Sequence, residues 1–406
     1  MEKRSLFKQI FGINKQNKSN HQRLKMLNDF TPVFSTANRI NESSLVKACV
    51  NTIATHASKF EMVHRQYGKD TIREVNGDIN YLLKHRPNPI NTPSQFIYKI
   101  AYNWAMNNNA FVYIHRDKVG NITGLYPITA SNYELLQDES GKNVYLRFNF
   151  LANNQTYELP YNELIHIRRF YGSNEIFGDN NCSLQNAVDA NETATQGITN
   201  AIKATAGLRG IIKFEQSVLK EEHMKKFKDR FVEDYLNLEN ESGIAVIDSK
   251  ATFEPIKMDP ITLSNTQLQY LAENVYRYFG LNENIVNSNY TDAQWSAFYE
   301  SVLEPFALQL EQEFTTKIFN DQAIRDGHRI NFIVERIKYN KTTTKISLIQ
   351  SLGQLGILTV DECRAILDMS PFGGEKGNKT LQTLNVVNSD MADEYQLGND
   401  NGGNDE

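Results

Sequence analysis

HRPNPINTPSQFIYKIAYNWAMNNNAFVYIHR, residues 85–116, holds the change of period on which the fold reading turns. Prolines at 87, 89 and 93 exclude a helix over its first nine residues. Those residues end on a helix start: Thr92 is placed as N-cap, Pro93 as first helical residue and Gln95 as reciprocal cap. The helix that follows brings Phe96, Ile100 and Trp104 to one face. Beyond Asn109 the apolar period drops to two, and AFVYIHR (110–116) reads as a strand.

Upstream, Leu45, Cys49, Ile53, Ala57 and Phe60 repeat at helical steps and predict a helix from Ser44 to Phe60. Downstream, NVYLRFNF (143–150) and LIHIRRF (164–170) read as further strands, with turns at Gly120-Asn121 and Ser140-Gly141. Residues 26–182 are therefore expected to form an α+β domain with an antiparallel sheet. From Ser183 to Ala206 the chain turns helical and rich in small residues: Ala187, Ala190, Ala194, Gly197, Ala201, Ala204 and Ala206. A small α+β insert follows, with strands at 210–214, 243–248 and 252–256 around a helix capped by Ser217 that carries Met224, Phe227, Phe231 and Tyr235.

A helix from Thr262 to Phe279, stopped by Gly280, leads into the polar loop LNENIVNSNY (281–290). Thr291 and Gln294 then cap a long helix to about residue 320. Its apolar face is Trp295, Phe298, Val302, Phe306, Leu310, Phe314 and Ile318, and Pro305 is expected to kink it. After a strand at 330–334 come two short helices, separated by Gly353 and Gly356, the second capped by Thr359 with Glu362. Residues 1–25 are expected to be a flexible basic arm. Residues 381–406 are expected to be a disordered acidic tail, without Lys or Arg from Asp390 onward.

The net charge of −5 opposes tight DNA binding, which a basic balance normally drives. Three widely spaced cysteines, Cys49, Cys182 and Cys363, suggest neither a disulfide framework nor a zinc site. No apolar run approaches membrane-spanning length. No catalytic constellation stands out, and no cofactor or metal is expected. GGEKGNKT (373–380) imitates a phosphate-binding loop, but Asn378 stands where its second glycine belongs and no strand precedes it. His56 and His166 read as structural histidines, with no paired-His spacing around them. Lys225, Lys226, Lys228 and Arg230 form a basic run on one helix, a solvated face or a docking surface.

Five stretches in order carry a resemblance: SSLVKACVNTIATHASK (43–59), LLKHRPNPINTPSQF (82–96) leading to NNNAFVYI, LIHIRRF (164–170), YTDAQWSAFYESVLEPFALQLEQEF (290–314) and LGILTVDECRAILDMSPFGG (355–374). Together they resemble the portal (head–tail connector) proteins of long-tailed double-stranded DNA bacteriophages. The resemblance implies an α+β portal-type fold that assembles as a ring, usually of twelve copies. Residues 26–182 and 292–340 would be its wing, 183–207 and 261–280 its helical stem, 208–260 its small α+β clip and 341–380 its helical crown.

Segment 281–291 would be the tunnel loop, offering Asn282, Asn284, Asn287, Ser288, Asn289 and Tyr290 to passing DNA. Lys225, Lys226, Lys228 and Arg230 would face motor and adaptor. The resemblance implies a virion component that is not an enzyme, built in the host cytoplasm. Its partners would be further copies of itself, the terminase large subunit, a head–tail adaptor, the major capsid protein and non-specifically held double-stranded DNA, with no membrane. A terminase-type ATPase would need an intact phosphate-binding loop, and a soluble DNA-binding protein would need a basic reading helix.

Overall fold

The computed structural model of the chain describes residues 25–26, 39–69, 71–130, 132–138, 142–150, 155–172, 175–206, 210–214, 225–226, 229, 251–255, 264–333, 342–367 and 369–382. In chain order the elements begin β1 (Lys25–Met26), α1 (Ser44–Ala57), β2 (Glu61–Tyr67), β3 (Ile72–Glu74), α2 (Asp78–Lys84) and α3 (Pro93–Asn107). Strands β4 (Asn109–Arg116), β5 (Ile122–Ile128), β6 (Asn132–Gln137), β7 (Val144–Phe150), β8 (Gln155–Pro160) and β9 (Leu164–Arg168) follow. Next are α4 (Cys182–Ala206), β10 (Gly210–Phe214), β11 (Ala251–Pro255) and α5 (Asn265–Phe279). The chain continues through α6 (Glu283–Val286), α7 (Asp292–Phe298), α8 (Glu304–Ile318) and β12 (His328–Ile333). It ends in α9 (Thr342–Gln354), β13 (Leu355–Thr359), α10 (Val360–Ile366) and β14 (Thr380–Gln382).

The capping box at Thr92 forms in both directions and sets the start of α3. The helix ends at Asn108, which turns left-handed at φ +54°. Phe96, Ile100 and Trp104 are buried against α1 and the β4 sheet, and the Trp104 indole N–H donates to Arg168 O at 3.0 Å.

The segment 26–182 does not make one sheet. Its strands fall into three, ordered β5-β4-β9, β1-β6-β7-β8 and β12-β2-β3. The last takes an edge strand from far downstream, because β12 pairs antiparallel with β2 from His328↔Gln66 to Ile333↔Glu61. The β4 sheet is covered on both faces. Ala110, Val112 and Ile114 enter the main core, while Phe111 turns into a second core with Tyr133, Phe148 and Phe177. Burial on both sides explains why AFVYI reads as a nearly unbroken apolar run.

Helix α8 closes the main core with Phe306, Leu310, Phe314 and Ile318. Its approach through Pro305 is not a simple kink. Tyr299–Leu303 form one π-helical turn between α7 and α8, and that wider turn accommodates a proline that cannot donate an amide hydrogen bond. The long helix therefore keeps its apolar face in register on both sides of the proline.

Other expectations are also corrected. Gly353 lies inside α9, and Gly356 lies within β13 at φ +70°, so a strand rather than a glycine linker separates α9 from α10. That strand pairs with β14, so the unit expected to be all helical includes a two-stranded sheet. Residues 381–382, assigned to the tail, belong to β14, and Lys25, assigned to the arm, belongs to β1. In the insert, β10 pairs antiparallel with β11, and the strand at 243–248 lies outside the described residues, as do Ser217, Met224, Phe227, Phe231 and Tyr235.

A buried polar knot joins this body to the helices flanking the insert. The Asn108 side chain donates to Asp179 O at 2.7 Å and to Asn181 Oδ1 at 2.6 Å, and Tyr278 Oη donates to the same Asn181 oxygen. Asn109 Oδ1 accepts the Gly178 amide at 2.8 Å and faces His166 Nε2 at 3.0 Å. Arg169 donates to Tyr278 O at 2.6 Å, at the carboxyl end of α5, and lies 4.4 Å from the Phe170 ring centroid. Burial lowers the Arg169 pKa to about 10. Gly178 packs so tightly that any Cβ would strike the carbonyl oxygens of Arg169 and Asn108.

Among the described residues, three histidines are buried, and burial favours their neutral form. His166 lies between Asn109 and the Tyr161 hydroxyl, and burial holds its pKa well below the usual value. His56 packs 4.8 Å from Trp295, and burial, aided by Lys59, lowers its pKa to about 4. His64 meets His328 at 2.9 Å across the β2–β12 pair, and burial with that neighbour lowers its pKa to about 4. Each of these rings occupies a structural place.

Two outcomes follow for stability. Gly178→Ala should lower unfolding free energy by about 3 kcal/mol in urea titration. A variant as stable as the parent would mean that segment 170–178 relocates freely. The unfolded state takes up protons on His56 and His64 near pH 6.5, whereas the folded state resists until about pH 4. Their contribution is complete above pH 6.5 and shrinks as the pH falls toward 4. His56→Phe should flatten that acid slope relative to the parent, and parallel slopes would rule out the His56 share.

Candidate functional site

Segment 281–291 hangs between α5 and α7, and both of its ends are fastened. At the first, Gly280 adopts φ +70°, its amide donates to Arg277 O, and the Leu281 amide donates to Tyr276 O at 2.9 Å. These two bonds form a Schellman closure, which a left-handed residue permits. At the second, Thr291 and Gln294 exchange hydrogen bonds at 3.0 and 3.3 Å and start α7.

The segment was expected to be an open loop, and it is instead a helical turn. Asn282 Oδ1 accepts the Ile285 amide at 2.9 Å and caps α6. Leu281 and Ile285 are buried and pin the turn to the main core. A second Schellman-type closure ends α6: the Ser288 amide donates to Ile285 O and the Asn289 amide to Asn284 O. Ser288 takes φ +59° to do so, a left-handed conformation that costs a non-glycine residue about 1 kcal/mol.

Asn282, Asn284, Asn287, Ser288, Asn289 and Tyr290, the six residues singled out in the sequence, are all exposed on this short turn. They are not equivalent. Asn282 turns its side-chain oxygen inward as a cap, and the Tyr290 ring stacks on Trp295 at 5.4 Å, with His56 beneath both. Asn284, Asn287, Ser288 and Asn289 form the tip. The chain carries no Lys or Arg between Arg277 and Lys317, whereas Glu283, Asp292, Glu300 and Glu304 accompany the turn and the helices entering from it. A phosphate backbone meeting this tip finds single amide and hydroxyl partners and no cation to hold it.

Of the basic run, Lys225 and Lys226 are helical and exposed, and Lys228 and Arg230 lie outside the described residues. The imitation of a phosphate loop is filled from within. Asp361 accepts the amides of Phe372 at 2.7 Å and Gly373 at 3.0 Å, and Thr380 opens β14 where a phosphate loop would begin a helix. Among the described residues no group of three or more His, Cys, Asp or Glu side chains is placed to hold a metal ion, and no helix is long and apolar enough to cross a membrane. The sequence reading missed the Asn108–Arg169–Tyr278 knot. Its one visible signal is the Asn107–Asn109 run, which interrupts an otherwise apolar stretch.

Known proteins fit this arrangement. A probable portal protein of Lactococcus phage p2 is 23% identical over 192 residues, covering 44% of this chain and 49% of that protein, so the chain spans about half the length of this curated relative. The fold matches the neck of a native GTA particle computed with C12 symmetry, with a TM-score of 0.58 at 13% identity over 83% of this chain and 94% of that one. It also matches an HK97 family phage portal protein from Corynebacterium diphtheriae, with a TM-score of 0.50 at 11% identity over 75% and 97% of the two chains. The family model for phage portal proteins covers residues 44–368, most of the folded chain, and the chain belongs to that family.

Proposed function

We propose that this chain is the subunit of a portal ring at one capsid vertex, through which double-stranded DNA is packaged and later ejected. The observation that carries the reading is the capped turn 281–291, which presents Asn284, Asn287, Ser288 and Asn289 in a stretch free of cations. DNA that must slide needs hydrated phosphates and replaceable contacts, and a lysine-lined passage would hold it. Tyr290 then serves as the anchor of the turn rather than as part of its tip.

In this reading residues 26–182 and 292–340 are the wing and the paired helices α4 and α5 are the stem. The insert 208–260 is the clip, carrying Lys225, Lys226, Lys228 and Arg230 toward the terminase large subunit and the head–tail adaptor. Residues 341–380 are the crown. The wing faces the major capsid protein. The chain works as a structural part in the virion, assembled in the host cytoplasm, and not as an enzyme. The small residues of α4 suit close approach of neighbouring stems about one axis. The filling of the GGEKGNKT turn by Asp361 favours this reading over a packaging ATPase.

Mass photometry of the purified chain should show a particle of about 560 kDa if twelve copies of 46.5 kDa close. Monomers alone at every concentration would remove the reading. Asn284→Lys combined with Asn287→Lys should leave the ring intact and slow DNA packaging several-fold in assembled proheads. Unchanged packaging by such rings would take the turn away from the DNA path.

A further inference from the structure

Asn76 and Asn401 are each followed directly by glycine. Asn76 and Gly77 are both exposed and lie in the short connection between β3 and α2. An asparagine side chain is labile because its carbonyl carbon, Cγ, lies within reach of the next backbone nitrogen. A bulky following side chain, or a hydrogen bond that occupies that nitrogen, normally prevents attack. Neither protects Asn76. Gly77 has no side chain, a Cβ placed on it would meet nothing within 4 Å, and its backbone is extended at φ −174°. Among the described residues, neither the Gly77 amide nor the Asn76 side chain has a hydrogen-bond partner.

Other asparagines are guarded. The amide after Asn284 donates to Asn282 Oδ1 at 2.9 Å, the amide after Asn287 donates to Ile285 O at 3.2 Å, and the amide after Asn91 donates to Gln95 Oε1 at 3.1 Å. We propose that Asn76 is a site of spontaneous covalent modification, in which the Gly77 nitrogen attacks the Asn76 side chain. The nitrogen gives its proton to solvent and bonds to Asn76 Cγ. The Cγ–Nδ2 bond then breaks, ammonia leaves, and a cyclic imide closes. Water reopens the ring at one of its two carbonyl carbons. Opening at Cγ gives an aspartate in the normal chain. Opening at the backbone carbonyl gives an isoaspartate, whose main chain runs through Cβ and Cγ. Water is the one co-reactant, and nothing is oxidised or reduced.

The two products act differently on the fold. The Val75 amide donates to His64 O at 2.9 Å, and the His64 amide donates to Oδ1 of buried Asn80 at 3.0 Å. The chain on either side of the Asn76–Gly77 pair is therefore tied to the same residue of β2. The aspartate adds a charge and keeps the spacing between these ties. The isoaspartate adds one main-chain atom between them, so one tie must give. Strand β3 lies at the edge of its sheet with residues 72–74 all exposed, and it yields before buried Asn80 does.

Peptide mapping by mass spectrometry tests this on the full chain, aged in mildly alkaline buffer until Asn401 has converted. Asn76 should appear as both aspartate and isoaspartate, while Asn91, Asn284 and Asn287 stay intact. Asn76 intact at that point would overturn the proposal, because the fold would then be shielding it. Gly77→Ala places a Cβ in open space, so it should fold as the parent does and slow the conversion roughly ten-fold. Conversion at the parent's rate would overturn attack by that nitrogen. In hydrogen exchange, aged chains enriched in isoaspartate should lose roughly ten-fold protection at the Val75 amide, with helix 93–107 still protected. Asn76→Asp, which adds the charge alone, should match the parent. Aged chains as protected at Val75 as the parent, or an Asn76→Asp variant as open as the aged chains, would overturn the link between the added main-chain atom and β3.

Discussion

Three side-chain acceptors on α8 hold the halves of this protein together. Thr315 Oγ1 accepts the Ile330 amide at 3.0 Å, Glu311 Oε1 accepts the Phe332 amide at 2.8 Å, and Gln309 Oε1 accepts the Arg168 amide at 2.8 Å. The first two amides belong to the outer edge of β12 and the third to the end of β9. One helix therefore satisfies the open edges of two sheets, where a bare strand edge would invite pairing with another chain. Beneath those contacts, Phe306, Leu310 and Phe314 close the main core. Arg168 with Glu313 at 3.8 Å, and Lys317 donating to Tyr161 O at 3.0 Å, fasten the same helix to the strands before the insert.

With the body closed in this way, the segments that leave it are held at fixed exits. Helices α4 and α5 depart from the Asn108–Arg169 knot, and the 281–291 turn departs from the capped junction of α5 and α7. The two closures and the buried side chains of Leu281 and Ile285 fix the turn against the body.

Much of this was legible where the signal is local. The boxes at Thr92, Thr291 and Thr359 form because a cap and its reciprocal partner lie three residues apart, a spacing no distant contact alters. The apolar face from Trp295 to Ile318 was equally plain, because it repeats at helical steps. What escaped depends on partners far along the chain. The count of sheets hinged on β12 joining β2 across the whole insert. Gln309, Glu311 and Thr315 look like solvent-facing polar residues until the strand edges beside them are known. The turn at 283–286 was hidden by its asparagines, although Asn282 followed by Glu283 and an apolar Ile285 carries the marks of a helix cap. Strand β13 was masked by glycines that read as a break.

The pairing of β2 with β12 has a consequence for synthesis. A ribosome reads out β2 early, yet its partner arrives more than 260 residues later, as the His64–His328 contact shows. Until then the nascent body lacks its lid, and loop-closure entropy makes such a distant contact slow to form. A chain that stops short of β12 leaves this edge of β2 unpaired and the main core without Ile330 and Phe332.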